Sequence, residues 1–397
     1  MNRRAKGKAG SRAQRRRDLL EQSARVALPE RADVCVIGGG AAGLAAAIVA
    51  AEQGTHVVVL ERDPECGKSI LATGNGRCNF TNAVLDPMQY NDPSFVKAAC
   101  GTSWLDNILA FFQACGLAWV LEDEGRMYPR SRQAASVRNV LLQRAQDAGV
   151  TLTSAREAID ARRAAGAFTV RYRECFGDEK LRSLDARRLI LATGGGALGL
   201  AANLGLAVSA TQPILCPLAC SGFGLKAIDG RRAHASLSLV RDGDVVACEH
   251  GEVLFRDYGI SGIAAFNLSR HARAGDKLVL DLLSDMSVQE ATARASHTLD
   301  GLLDPAIARE LRMHAGSNEG ALRTAKHLEL EVLGPAEKER AQVTRGGLVN
   351  SQFCPTTLEA YDVPGLYACG EVLNVDGPCG GYNLAWAWQS GMVAGRG

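Results

Sequence analysis

Six residues, Gly38-Gly39-Gly40-Ala41-Ala42-Gly43, fit the pattern G-x-G-x-x-G, and Glu61 stands 23 residues after the first glycine. Glycines let the backbone approach a pyrophosphate closely, and a helix starting there offers amides and the positive end of its dipole. A carboxylate at the Glu61 spacing accepts hydrogen bonds from ribose hydroxyls. The chemistry implied is recognition of an adenine dinucleotide, without a choice between FAD and NAD. A turn that merely packs a helix on a strand would also use glycines. Strand, helix and acid standing together favour the nucleotide.

The elements needed to position these residues are legible. Residues 33–37 read as a strand, an alanine-rich stretch continues to Gln53, and 56–60 reads as a second strand. That order is a βαβ unit and hence part of a parallel sheet. Glycine and asparagine crowd 73–82, too densely for a regular element. Helices are predicted over 104–115 and 134–148, and strands within 150–160, 167–174 and 186–192. The chain then divides into an inserted β domain over 206–285 and a helical cap over 286–338. Residues 31–205 and 339–397 are expected to share one nucleotide domain.

No apolar run is long enough to span a membrane. The first seventeen residues carry eight basic side chains (Arg3, Arg4, Lys6, Lys8, Arg12, Arg15, Arg16 and Arg17) and no acid, leaving 37 basic against 43 acidic residues in the body. This 1–30 leader lacks the apolar stretch of a secretory signal and is expected to be disordered; an RNA- or phosphate-seeking arm is the alternative. Twelve cysteines without a C-x-x-C pair suggest reduced thiols in a cytoplasmic protein, with no zinc site.

Three further segments narrow the function: the loop Gly67–Asn82 with its run Gly74-Asn75-Gly76-Arg77-Cys78-Asn79, the strand-to-glycine run 189–195, and the C-terminal stretch 365–383. The pairing of G-N-G-R-C-N-x-T-N with G-E-V-L-x-V-D-G-x-x-G-G-Y-N resembles the flavoprotein family called BaiN/RdsA or YhiN-like, over residues 33 to 395. The resemblance implies an α/β fold, an FAD-binding Rossmann-like sheet of the two-dinucleotide-binding-domain flavoprotein type, interrupted by the β insert and the small helical cap. It places the adenosine end of FAD at Gly38–Glu61 and the flavin near the C-terminal loop.

The residues taken for cofactor contacts are Gly38, Gly40, Ala42, Gly43, Glu61, Arg62, Lys68, Gly74, Gly76, Arg77, Asn79, Thr193, Gly194, Gly370, Glu371, Asp376, Gly380, Gly381, Tyr382 and Asn383. Arg77 would pair with pyrophosphate or form a surface ion pair. Asn383 would cap the last helix, touch flavin, or both. Gly380 and Gly381 let that helix start against a flat ring, and its N-terminus would stabilise negative charge on a reduced flavin.

A second formal fingerprint, Gly194 to Gly199, lacks an acid near position 214, and the loop after Gly195 is about ten residues shorter than the family's. Phe255–Gly262 departs as well, with Arg256, Tyr258 and Ile263 where the family has Thr, His and Pro, whereas 125–131 keeps the family form.

The resemblance implies reduction of a carbon–carbon double bond conjugated to a carbonyl, with hydride going to the β carbon and a proton to the α carbon. Cys78 and Tyr382 are the proton-donor candidates, each with a packing role as alternative. NADH or NADPH would donate the electrons. Uridine in ribosomal RNA is slightly favoured as substrate, on the basic leader; a steroid-like enone, a flavin oxidase and a non-catalytic flavin protein are alternatives. Oligomeric state is left open.

Overall fold

The computed structural model describes residues 3–177, 179–295 and 298–397, with side chains from residue 13 onward. The chain divides into two compact units, one running to Gln212 and resuming at Thr344, the other spanning Pro213–Val343.

The first unit is built on the predicted βαβ. Strand β1 (Arg31–Ile37) leads through the glycine turn into helix α2 (Ala41–Glu52), and β2 (Val57–Leu60) follows. Helix α1 (Arg3–Arg25) precedes them. β1 and β2 pair in parallel with Val34 opposite Val57. On its other side β1 pairs in parallel with β3 (Leu181–Leu191). Val34, Cys35, Val36 and all of β2 are buried, as expected of strands covered on both faces. The sheet has seven strands. Thr151–Thr153 extends it beyond β2, and an antiparallel meander, Arg156–Ala164 with Ala167–Glu174, runs off the first half of β3. The second half of β3 receives β4 (Leu366–Ala368) in parallel, Leu366 opposite Leu189.

β4 thus brings the end of the chain into a sheet begun more than three hundred residues earlier, and α3 (Tyr382–Arg396) follows it. A Cβ on Gly391 would lie 2.4 Å from the Ala42 carbonyl oxygen, and one on Gly395 would lie 2.5 Å from that of Ala46. This close approach explains why α2 is alanine-rich and buried nearly all round.

Two sequence expectations need correction. Where a disordered leader was expected, Arg3–Arg25 forms a continuous helix, α1. Its Ala, Arg, Leu, Glu and Gln content and its lack of proline or β-branched residues favour helix. Its end is anchored. Ser23 is buried and its Oγ shares a 2.7 Å hydrogen bond with Ser154 Oγ, while Arg156 Nη2 donates to Val26 O at 2.7 Å. The side chains of Arg3, Arg4, Lys6, Lys8 and Arg12 lie outside the described ones.

The second correction concerns the insert and the cap, which form one unit rather than two. Six strands close a barrel there, and Leu328–Pro335, within the range assigned to the cap, pairs with both Lys277–Asp281 and Leu218–Ser221 to complete it. Barrel residues such as Leu237 and Phe255 share one core with the helix residues Ile307, Leu311 and Leu322. No helix among the described residues is long and apolar enough to cross a membrane.

Candidate functional site: a cofactor cleft

The glycine turn divides its labour. Gly38 has φ +104°, its amide donates to Leu60 O at 2.9 Å, and a Cβ on it would meet Ala192 O at 2.3 Å. A Cβ on Gly43 would lie 1.9 Å from Gly38 O. These two glycines are therefore fixed by packing. Gly40 is different: a Cβ there would approach only Ser69 Oγ, at 3.3 Å, leaving open space at the end of α2. The first intrahelical bond runs from Leu44 N to Gly40 O, so the amides of Ala41, Ala42 and Gly43 point beyond the helix start, where an anion is stabilised.

Glu61 locks the turn from beside it. Its Oε2 accepts from Gly39 N and its Oε1 from Asp63 N, both at 2.7 Å. Burial raises its pKa, opposed by the Asp63 and Gly39 amides. The Glu61 backbone is held in turn by Thr153 O, 3.0 Å from its amide, and by Arg156 N, 2.8 Å from its carbonyl. Lys68 is paired with Asp63 at 2.6 Å. Arg62 lies beside Gly196, where a Cβ would be 3.7 Å from Nη1.

The strand-to-glycine run 189–195 ends close by. Thr193 Oγ1 donates to Gly196 O at 2.7 Å, and Gly194 has φ +61° with nothing crowding it. The helix that follows, Leu198–Asn203, has only six residues. The second fingerprint therefore opens no full dinucleotide helix.

The other end of the cleft is assembled from distant segments. Gly370 has φ +73°, and a Cβ on it would meet Ala42 Cβ at 2.7 Å, so the end of β4 abuts the start of α2. Ser390 Oγ accepts from Gly370 N at 2.9 Å, and Trp386 Nε1 donates to Gly370 O at 3.1 Å. Glu371 accepts from Thr344 N at 2.8 Å, and burial raises its pKa. Gly380 and Gly381 have φ +111° and +100°. A side chain at Gly381 would collide with the 74–82 loop: its Cβ would sit 2.5 Å from Thr81 C and O and 3.0 Å from Asn79 Oδ1. Asn82 Nδ2 donates to Gly380 O at 2.9 Å, tying loop to turn.

At this junction the buried Asn79 Oδ1 and Thr81 Oγ1 have no hydrogen-bond partner. Buried oxygens left in this state cost about 1–3 kcal/mol each. The open amides at α2, the space over Gly40 and the two buried oxygens without partners, on Asn79 and Thr81, are donors, room and acceptors that fit FAD.

Several candidates are engaged otherwise than expected. Arg77 is bound to Glu122 at 2.7 and 2.8 Å and lies over the Tyr128 ring at 4.3 Å, an arrangement of the surface ion-pair kind. Asp376, fully buried, accepts two 2.7 Å bonds from Arg345. Asn383 does not cap α3. The cap position is Gly381, and Asn383 instead clamps Gly377 through two 2.9 Å bonds. Cys78 is fully buried, and burial pushes its thiol up to about 11. Gly74 would meet Asn79 N at 2.8 Å if it bore a Cβ, while Gly76 has open surroundings at φ +84°. Tyr382 is half-buried. Its hydroxyl donates to Val84 O at 3.0 Å and burial raises its pKa. In the second unit, Arg256 pairs with Asp229 and Tyr258 with Glu337.

Sequence reasoning missed Thr81, Thr344 and Arg345. The glycine pair Gly346-Gly347 was the available signal for Thr344 and Arg345, and the motif G-N-G-R-C-N-x-T-N for Thr81.

A Rossmann-like sheet closed by the end of the chain, with a cleft of this form, defines an FAD-binding oxidoreductase fold. The family model described as the HI0933-like protein Rossmann domain matches residues 32–397, and the chain belongs to that family. It is 33% identical to the 3-dehydro-bile acid delta(4,6)-reductase of Clostridium scindens over 406 residues, 91% of this chain and 97% of that one. It is 27% identical to the ribosomal RNA dihydrouridine synthase of Escherichia coli over 401 residues, 91% and 96% of the two chains. Among solved structures, a flavocytochrome c3 fumarate reductase superposes with TM-score 0.51 at 14% identity, covering 96% of this chain and 80% of that one. A variant of E. coli quinol fumarate reductase gives 0.50 at 16%, covering 92% and 69%. These two likenesses show the fold. The family and its reductases make this chain an FAD-dependent oxidoreductase acting on carbon–carbon double bonds. Among the described residues no cluster of His, Cys, Asp and Glu is placed to hold a metal.

Proposed function

We propose that the protein reduces a carbonyl-conjugated double bond, with the adenosine of FAD at Gly38–Glu61 and the flavin against Gly380–Gly381. The observation carrying this is the pair of buried, unpartnered oxygens on Asn79 and Thr81 beside that turn. Bound FAD supplies the hydride, received from NADH or NADPH. Tyr382, at the first turn of α3, is the proton donor in this reading, while Cys78 is sealed in packing. Glu61 and the α2 amides hold the nucleotide.

The substrate proposed is uridine in ribosomal RNA, reduced to dihydrouridine as in the E. coli relative's name. Arg15, Arg16 and Arg17, exposed on α1, favour it, because phosphate neutralisation supplies salt-dependent affinity. A steroid-like enone is the second reading, favoured by the 33% identity to the bile acid reductase. Both readings place the work in the cytoplasm. The test is anaerobic bleaching of the purified flavoprotein with NADH or NADPH, then reoxidation by ribosomal RNA or by a 3-oxo-steroid diene. Reoxidation by RNA with Tyr382→Phe slowed supports the first reading, reoxidation by the steroid alone supports the second, and reoxidation only by air sinks both.

A further inference from the structure

The anchoring of α1 falls at the residues that hold Glu61. Segment 153–156 grips 61–63 through three backbone bonds: Glu61 N to Thr153 O at 3.0 Å, Ala155 N to Asp63 O at 2.8 Å and Arg156 N to Glu61 O at 2.8 Å. The leader binds the same segment from outside. Ser23 Oγ meets Ser154 Oγ, and Val26 O receives Arg156 Nη2, each at 2.7 Å. Farther along, Arg15 reaches Glu65 at 3.3 Å, and Glu65 also takes Arg138 at 2.8 Å.

Arg156 is only 2% exposed, lies over the Phe176 ring at 5.1 Å, and its Nε has no partner. Its other donors go to Val26 O and, at 3.3 Å, to Ser154 O. Without the leader, a buried guanidinium would lose its shortest hydrogen bond. It would then have to move toward water, carrying the backbone that fixes Glu61.

We propose that the α1 leader is a retention strap for the adenosine end of the cofactor, with Ser23 and Arg156 as positioning residues acting through Glu61. This rests on the reading of Glu61 as the ribose acceptor. The strap acts on FAD and not on FMN, which has no adenosine. It also gives the leader a role inside the fold whether or not its arginines meet RNA.

The test compares FAD and FMN dissociation constants for the full chain, a variant lacking residues 1–27, and S23L, which puts bulk where Ser23 is buried. FAD binding is expected to weaken about ten-fold or more in both variants with FMN binding unchanged, since one lost buried hydrogen bond to a charged group is of that order. Equal loss for both flavins would show general destabilisation, and no loss would show an idle leader; either overturns the strap. A measurement without variants backs this up. Coupling is reciprocal, so saturating FAD, but not FMN, must slow tryptic cleavage after Arg15–Arg17. Equal cleavage with and without FAD overturns the strap even if the variants fail to fold. If the full chain binds FAD no better than FMN, the ribose reading of Glu61 itself falls, and the strap with it.

Discussion

The two ends of the cleft are built in opposite ways. The proposed adenosine end is centred on one stretch of chain, residues 31–67, and its carboxylate is satisfied internally, Glu61 taking the Gly39 and Asp63 amides. The proposed flavin end draws on 74–82, 344–348 and 370–383, and leaves Asn79 Oδ1 and Thr81 Oγ1 buried without partners. The first end is a preformed socket. The second, in the proposed reading, is a junction that a ligand completes, so substitutions at the two ends should shift stability and affinity in different directions.

The largest contrast lies within the glycine turn. Gly43→Ala drives a Cβ to 1.9 Å from a backbone oxygen, a clash expected to cost more than about 4 kcal/mol and yield protein without a cooperative melt. Gly40→Val puts its branches into open space, so the expected product is a folded protein with no flavin absorbance. Flavin retained by folded Gly40→Val would show that the turn is structural only.

At the flavin end, Asn79→Leu removes an unsatisfied oxygen. The apoprotein should melt higher, by up to about 1–2 kcal/mol of stability, while FAD binding weakens about ten-fold. Parallel loss of both would mean that the oxygen waits for nothing.

Glu61 gives a pH test in which stability and binding again part. Burial raises its folded pKa, so its own contribution to stability is present at low pH and lost as pH rises through that value. Ribose recognition needs the carboxylate, so FAD affinity should fall as pH drops through the same value, starting above the ordinary carboxylate range. Titrating FAD against pH, with Glu61→Gln expected to flatten the profile, checks this.

The smallest effect expected is at Arg77. Its side chain is 42% exposed and its partner Glu122 26% exposed, so Arg77→Ala should cost about 1 kcal/mol or less and leave FAD affinity within about two-fold. A loss beyond about ten-fold would return Arg77 to the pyrophosphate.

The same division governs what the sequence revealed. The βαβ unit, Glu61 and the helices at 104–114 and 134–147 follow local periodicity and spacing, and were legible within a residue or two. The partners that redirect Arg77 and Asp376 lie 45 and 31 residues away, where no local pattern points. Leu328–Pro335 alternates as a strand should, but it follows two helices and was absorbed into a helical cap. The leader's charge carries no structural signal, whereas its helix-forming composition does.

The lateness of β4 and α3 in the chain has a consequence for synthesis. A ribosome delivers the N-terminal residues first, so the nucleotide turn at 38–43 emerges long before Gly391 and Gly395 arrive to cover α2. A nascent chain stalled anywhere before α3 would display that alanine helix uncovered and would have no flavin end. The yellow colour of a preparation would then report more than cofactor supply, because it would count the molecules whose translation had run past the final helix.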